Sequence, residues 1–187
     1  VYAYTDSPNF EVLLFGYAFD DEAVQVVDFA SGEQLPDAVF AALTDPTVTK
    51  TAFNASFERV CLSRYLNLTL PTEQWYCTAT QALLLGLPLS LKGVGAVLGL
   101  ESQKLSEGED LIRYFSVPCK PTKTNGGRTR NLPSDAPDKW ERYRLYNIRD
   151  VEVEREIRRK LHAFPIPAAE QAYYVMPQDN HDRGVMV

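Results

Sequence analysis

Asp150 is a carboxylate set into an otherwise apolar stripe. Tyr143, Tyr146, Asp150, Val153, Ile157 and Leu161 recur at three-and-four spacing, so they share one helical face, and a face so apolar belongs to a core. Burying a lone carboxylate there is costly unless a partner or a metal compensates it. Asp150 also follows Tyr146 by one helical turn, which sets a phenol and a carboxylate side by side. Two readings are open for it: a partly buried ion pair with a neighbouring arginine, or a chemical site. A second carboxylate, Glu58, shares a helical face with Cys61, Leu62 and Tyr65. Two separate helices each aim a carboxylate inward, with no basic partner in either pattern. That combination suggests a divalent cation held by oxygen alone, which suits magnesium or manganese.

The elements that must position these groups follow from local pattern. EVLLFGYAF (11–19) and AVQVVDF (23–29) are rich in strand formers and flank the turn Asp20-Asp21-Glu22, which makes a hairpin. A short helix is expected over 37–43 and a strand over 48–53. Asn54 then serves as the N-cap of a helix running to about Tyr65. A strand over 73–78 precedes helices over 79–85 and 91–98, broken at Gly86-Leu87-Pro88, and a further helix spans 109–115. Residues 117–137 are rich in Pro, Gly, Lys and Arg without apolar periodicity; loops of that length are usually functional or disordered. The long helix from about Lys139 to Leu161 carries the opening stripe. After a proline break at 165–167 comes a last helical piece over 170–175. Strands first, then strands alternating with helices, indicate a mixed α/β sheet.

With 187 residues and 45% hydrophobic content the chain can bury one good core, so one compact domain is the default. The net charge of −6 argues against broad electrostatic wrapping of a duplex, but not against an enzyme that meets nucleic acid through metal ions. Cys61, Cys77 and Cys119 are odd in number and widely spaced, which fits reduced bystander thiols. Two histidines, His162 and His181, are too few and too far apart for a zinc site. No apolar run reaches membrane-spanning length and no signal peptide is visible, so a cytoplasmic protein is expected. Val1 opens without Met on strand-like sequence, as in a piece of a longer protein.

N-x-x-F-E at Asn54–Glu58, followed much later by Y-x-x-x-D at Tyr146–Asp150, resembles the second and third motifs of the DEDDy 3′–5′ exonucleases. The run between them also fits, through Cys77-Thr78, Leu87-Pro88-Leu89-Ser90-Leu91-Lys92 and Val97-Leu98-Gly99-Leu100. The wording is nearest to the exonuclease portions of phage- and prophage-type family A DNA polymerases. Asp179-Asn180-His181-Asp182-Arg183-Gly184-Val185 resembles their passage into the polymerase domain.

The resemblance implies a ribonuclease H-like fold, with a mixed central sheet flanked by helices. The exonuclease-like domain would span 1–165, and 166–187 would be a linker or the start of a polymerase domain. It implies proofreading-type hydrolysis of 3′-terminal phosphodiesters of single-stranded DNA ends, in a bacterial or phage-infected cell. Two divalent metal ions, Mg2+ or Mn2+, would be held by Glu58 and Asp150, with Tyr146 beside the attacking water. Asn54 and Phe57 would lie near the substrate, or serve simply as helix cap and core. Lys92 would meet a phosphate or solvent. The basic loop with Lys120, Lys123, Arg128 and Arg130 would contact single strand, or be disordered and solvated.

Two departures stand out. The family pattern has Asp where this chain has Glu58, which keeps the charge and lengthens the reach. The first motif, a D-x-E on a first strand, is expected upstream of Val1. The literal match Asp20-Asp21-Glu22 falls in a hairpin turn and is rejected. The alternative function is a nuclease-dead scaffold or single-strand-binding module; a ribonuclease D-like RNA exonuclease is a third.

Overall fold

Local sequence preferences resolve into eight helices and four short strands among the residues that the computed structural model describes, 1–100 and 108–184. In chain order these are α1 (Tyr2–Thr5), β1 (Leu14–Tyr17), β2 (Gln25–Asp28), α2 (Asp37–Thr44), β3 (Lys50–Ala52), α3 (Ala55–Leu66), β4 (Trp75–Cys77), α4 (Thr78–Leu84), α5 (Leu91–Val97), α6 (Gly108–Ser116), α7 (Pro137–Lys160) and α8 (Ala168–Arg183). The architecture is mixed α/β. Where one domain and one mixed sheet were expected, the chain divides into two compact units. Each unit has its own pair of strands.

The first unit comprises Val1–Val12, Leu35–Leu100 and the described residues from Val153 onward. Its strands β3 and β4 are parallel, with Lys50 opposite Trp75 and Ala52 opposite Cys77. A parallel pair needs a crossover, and α3 supplies it. Ala82, Val94, Leu100, Val153, Ile157 and Leu161 form its core, with Phe53, Leu87, Leu91 and Leu98 packed against them. The apolar half of the opening stripe is therefore buried, as its spacing requires. Gln81 on α4 donates to the carbonyls of Leu161 and Phe164, both at 2.9 Å, and so satisfies carbonyls at the end of α7.

Two sequence expectations are corrected here. Residues 2–5 form a helical turn rather than strand. The helical piece expected over 170–175, in a segment read as linker or the start of a polymerase domain, is longer: α8 runs from Ala168 to Arg183 in spite of Pro177 within it, while 185–187 lie outside the described residues. Side-chain contacts explain why α8 is held. Gln171 donates to the Trp75 carbonyl (3.1 Å), and the Arg59 guanidinium, buried on α3, grips Asp182 through two bonds of 2.7 and 2.9 Å. Arg59 also donates to the Leu70 carbonyl (3.2 Å), and the Tyr2 hydroxyl donates to Asp182.

The second unit comprises Leu13–Gln34 and the described part of Glu101–Glu152. The hairpin is as expected, with Leu14 opposite Asp28 and Tyr17 opposite Gln25. Phe15 and Tyr17, two residues apart and so on one face, stack with centroids 5.8 Å apart. Leu111, Phe115 and Trp140 form the core, joined by Leu13, Leu14, Tyr114 and Tyr143. The Trp140 indole donates to buried Asp28 at 2.6 Å. Gly16 lets α7 approach β1: a Cβ there would overlap the Asn147 amide and lie 2.9 Å from Val151 Cγ2.

The Asp182 clamp has a measurable pH signature. Burial works to raise its carboxyl pKa, but hydrogen bonds from Arg59 and Tyr2, and the Arg59 charge, outweigh that and hold it below the ordinary value. A lowered folded pKa stabilises above the unfolded value, and that stability is lost as pH falls through the folded one. Asp182→Asn is therefore expected to lower the urea midpoint at pH 7 by an amount equivalent to about 1.5–3 kcal/mol, with the gap to wild type closing under strong acid. Urea titrations across pH check both the size and the direction.

Candidate active site

The carboxylates picked out by sequence fall in different units: Glu58 in the first, Tyr146 and Asp150 in the second. Around Glu58, β3 feeds into α3 through Asn54. Asn54 occupies the N-cap position, but its φ of 71° is left-handed and its side chain makes no cap hydrogen bond. The helix start is closed by backbone instead, as the Phe57 amide donates to the Asn54 carbonyl at 2.8 Å. This corrects the capping expectation: the Asn54 amide group is exposed and takes only a long 3.4 Å bond from the Ser56 hydroxyl. Asparagine tolerates the left-handed region better than most residues, yet the conformation still costs something, and such strain collects at functional sites.

Phe57 is not a core residue. It is 41% exposed and stacks on the Tyr4 ring at 6.0 Å, while Tyr4 meets Phe10 edge-on at 5.5 Å. Cys61 is buried, and burial, with a smaller push from Glu58, raises its thiol to about 11, so it stays a protonated core residue.

Glu58 itself is turned inward. Its Oε2 is shut off from solvent and has no hydrogen-bond partner. Burial pushes its carboxyl up to about 8, the neighbouring Glu154 charge adds to that, and its own backbone amide offsets part. Glu154 was not singled out from sequence, because Arg155 and Arg158 make its surroundings read as a solvated face. It is 6% exposed and accepts a 2.5 Å hydrogen bond from the buried Thr78 hydroxyl at the start of α4. Burial raises its pKa too, against the Thr78 bond and the charges of Arg158 and Arg155. Two buried carboxylates in each other's field, one with an orphaned oxygen, fit a hard divalent cation or else a proton.

In the second unit, Tyr146 and Asp150 are brought together on α7 as their spacing requires. The Tyr146 hydroxyl donates to the Asp150 carboxylate. Burial raises Asp150 to about 6 and the Tyr146 bond pulls it back. No cation acts on it among the described residues, and the adjacent Arg149 pairs with Glu152 at 2.9 Å. Among the described residues Asp150 thus has Tyr146, and no arginine, as its partner. Tyr146 is raised above the ordinary tyrosine value by burial first, then by the Asp150 charge, so it remains a hydroxyl donor. Its ring lies flat on Gly108 at the start of α6, where any Cβ would overlap it.

The triplet Asp20-Asp21-Glu22 lies exposed in the hairpin turn, with Asp20 at φ 40°. Lys92 is exposed on α5. Among the described residues no group of three or more His, Cys, Asp and Glu side chains is arranged to hold a metal, and no helix is long and apolar enough to cross a membrane.

No protein-family model matches the chain, and no solved structure matches it. Over all 187 residues it is 52% identical to a protein of Bacillus phage SP02 described as a DNA polymerase. The chain spans 29% of that relative's length. From end to end it is thus similar to a region of a phage DNA polymerase.

Glu58 makes the chain's stability depend on pH in the direction opposite to Asp182. Its folded pKa is raised, so its contribution is fully present below the ordinary glutamate value and is lost as pH rises toward about 8. Glu58→Gln is expected to match wild type near pH 4 and to be the more stable protein at pH 8.5. The gap should grow by at most about 1.4 kcal/mol per pH unit between. Urea midpoints of the two proteins, measured without divalent cations, test this.

Proposed function

We propose that the chain is the 3′–5′ exonuclease part of a phage-type family A DNA polymerase, with a ribonuclease H-like fold. The observation that carries this reading is the state of Glu58 and Asp150. Both are desolvated carboxylates raised by burial, without a cationic partner among the described residues, in the two motifs whose order resembles that family. Similarity along the whole chain to a phage DNA polymerase supports the polymerase context. In this reading Glu58 and Asp150 would each be a ligand for divalent ions, Mg2+ or Mn2+, which would supply charge neutralisation at the scissile phosphate and a nucleophile at neutral pH.

The roles of the chain's own residues follow from their geometry. Tyr146 stays protonated, so its hydroxyl donates to Asp150 and orients the carboxylate beside it. Gly108 fixes where the Tyr146 ring lies. The exposed Phe57–Tyr4 pair offers faces on which a terminal base stacks, and the uncapped Asn54 amide offers a donor and an acceptor to the strand end. The substrate is the single-stranded 3′ end of DNA, and the role is proofreading during DNA replication.

A second reading is a nuclease-dead scaffold or single-strand-binding module. Its specific support is that no cluster of three or more ligand-type side chains assembles among the described residues.

Degradation of a 3′-labelled single-stranded DNA oligonucleotide with Mn2+ or Mg2+ separates the two. It is measured on this chain and on any longer polypeptide that carries it. Hydrolysis in either is expected, and silence in both selects the scaffold. In whichever protein is active, Asp150→Asn is expected to reduce the rate at least 100-fold, and full activity in that variant would remove Asp150 from the site. Gly108→Ala changes no ionisable group but displaces the Tyr146 ring. It is expected to lower kcat about 10-fold with little change in the metal concentration needed, as for a misplaced catalytic group. A rate equal to wild type would show that the ring position is immaterial.

A further inference from the structure

The segment 117–134 holds no acidic residue. It carries Lys120, Lys123, Arg128 and Arg130, in a chain whose net charge is −6. Such a run is ordinarily a solvated, disordered stretch. Here it is built. The Asn125 amide sits at its centre, donating to the carbonyls of Lys120 (2.9 Å) and Arg128 (3.3 Å) and accepting from the amides of Thr122 (2.8 Å) and Gly127 (3.1 Å). The Cys119 amide closes the base of the loop onto the Thr129 carbonyl at 2.8 Å. Gly126 and Gly127 turn the tip at φ 69° and 77°, a conformation that other residues resist.

The stem is anchored as firmly. Buried Asn131 donates to the Tyr114 carbonyl of α6 at 2.8 Å. Arg128 donates to the Asn131 side-chain oxygen Oδ1 at 3.0 Å and pairs with Asp135 at 3.1 Å, so its charge is used inside the fold. Lys120 and Lys123 are exposed on the braced arm.

We propose that this arm is a preformed contact for the phosphate backbone of a nucleic-acid strand, with Lys120 and Lys123 as the contacting residues. It rests on the reading of the chain as part of a nucleic-acid-processing protein, but not on hydrolysis. A strand presents regularly spaced monoanions, and binding them releases counterions. Lysines displayed on a loop whose backbone is already ordered lose less entropy on contact than lysines on a free tail. An anionic membrane surface, by contrast, is met by basic tails that need no bracing.

The test is fluorescence anisotropy of a labelled single-stranded DNA oligonucleotide titrated with the full chain, in EDTA and at several salt concentrations. The double variant Lys120→Gln/Lys123→Gln is expected to bind about 10-fold more weakly. Its slope of log K against log salt should be shallower by about 1.4, two contacts at about 0.7 each. Asn125→Ala leaves the charge intact and is expected to weaken binding about 3-fold, because the arm must then be ordered on contact. Urea midpoints near wild type confirm that both variants are folded.

An unchanged slope in the double variant overturns the proposal. So does a wild-type chain that binds no oligonucleotide, or lysine-dependent binding to phosphatidylserine vesicles without binding to DNA. Wild-type affinity in Asn125→Ala overturns the preformed arm. Because EDTA removes hydrolysis from the measurement, failure of the exonuclease reading appears separately, as retained binding without metal-dependent degradation.

Discussion

The desolvation of acidic side chains on one helix governs the chemistry of this chain. α7 carries Asp150 and Glu154 one turn apart, on the same stretch that buries Val153, Ile157 and Leu161. A carboxylate removed from water must find a proton, a donor or a cation. Each of these two has found one neutral hydroxyl, from Tyr146 and from Thr78. One neutral donor replaces only part of the lost hydration, and both carboxyls remain raised by burial. Arg59 shows that the same fold can satisfy a buried charge when the need is structural. Its guanidinium holds Asp182 at both nitrogens, and that carboxyl is lowered rather than raised. The contrast lies in compensation: Asp182 is neutralised by Arg59, whereas Glu58 and Asp150 meet no cation among the described residues.

Two backbone features lie beside the motif residues. Asn54, one turn before Glu58, adopts a left-handed conformation without the side-chain cap that would make it an ordinary helix start. Gly108 stands where any larger residue would push the Tyr146 ring away. Neither feature is needed to form α3 or α6, since both helices have good formers after their first residue. Departures from local rules also occur away from the motifs, at Asp20 and Asn67 with positive φ and at Pro177 inside α8.

Much of this was legible in the sequence, for identifiable reasons. The hairpin, α3 and α7 follow from alternation and three-and-four spacing, because one face of each is apolar. The pairing of Tyr146 with Asp150 is a direct consequence of helical pitch. α8 was not legible past 175, because Pro177 and the polar PQDN run look like a break, whereas Arg59 and Trp75, more than 90 residues away, hold it. The order in the basic loop was hidden for a related reason: Asn125 builds it through bonds to backbone, which leave no periodic trace. Glu154 was missed because flanking arginines mask a buried acid. The division into two units could not be read at all, since it depends on which contacts form across long separations in sequence.

Stability also bears on what the acids are for. A scaffold gains nothing from a carboxyl whose Oε2 is buried without a partner; an amide or an apolar residue of similar size there would be neutral or stabilising. Buried ionisable groups left without compensation are costs that proteins sustain chiefly where a ligand relieves them. Burial raises Glu58 and its neighbour Glu154 in the first unit and Asp150 in the second, and Glu58 and Asp150 lie in the two motifs. A cation arriving at either place would remove a desolvation penalty that the described residues leave in place. Its binding energy would then be larger than the count of its ligands suggests, because it includes the relief of that penalty.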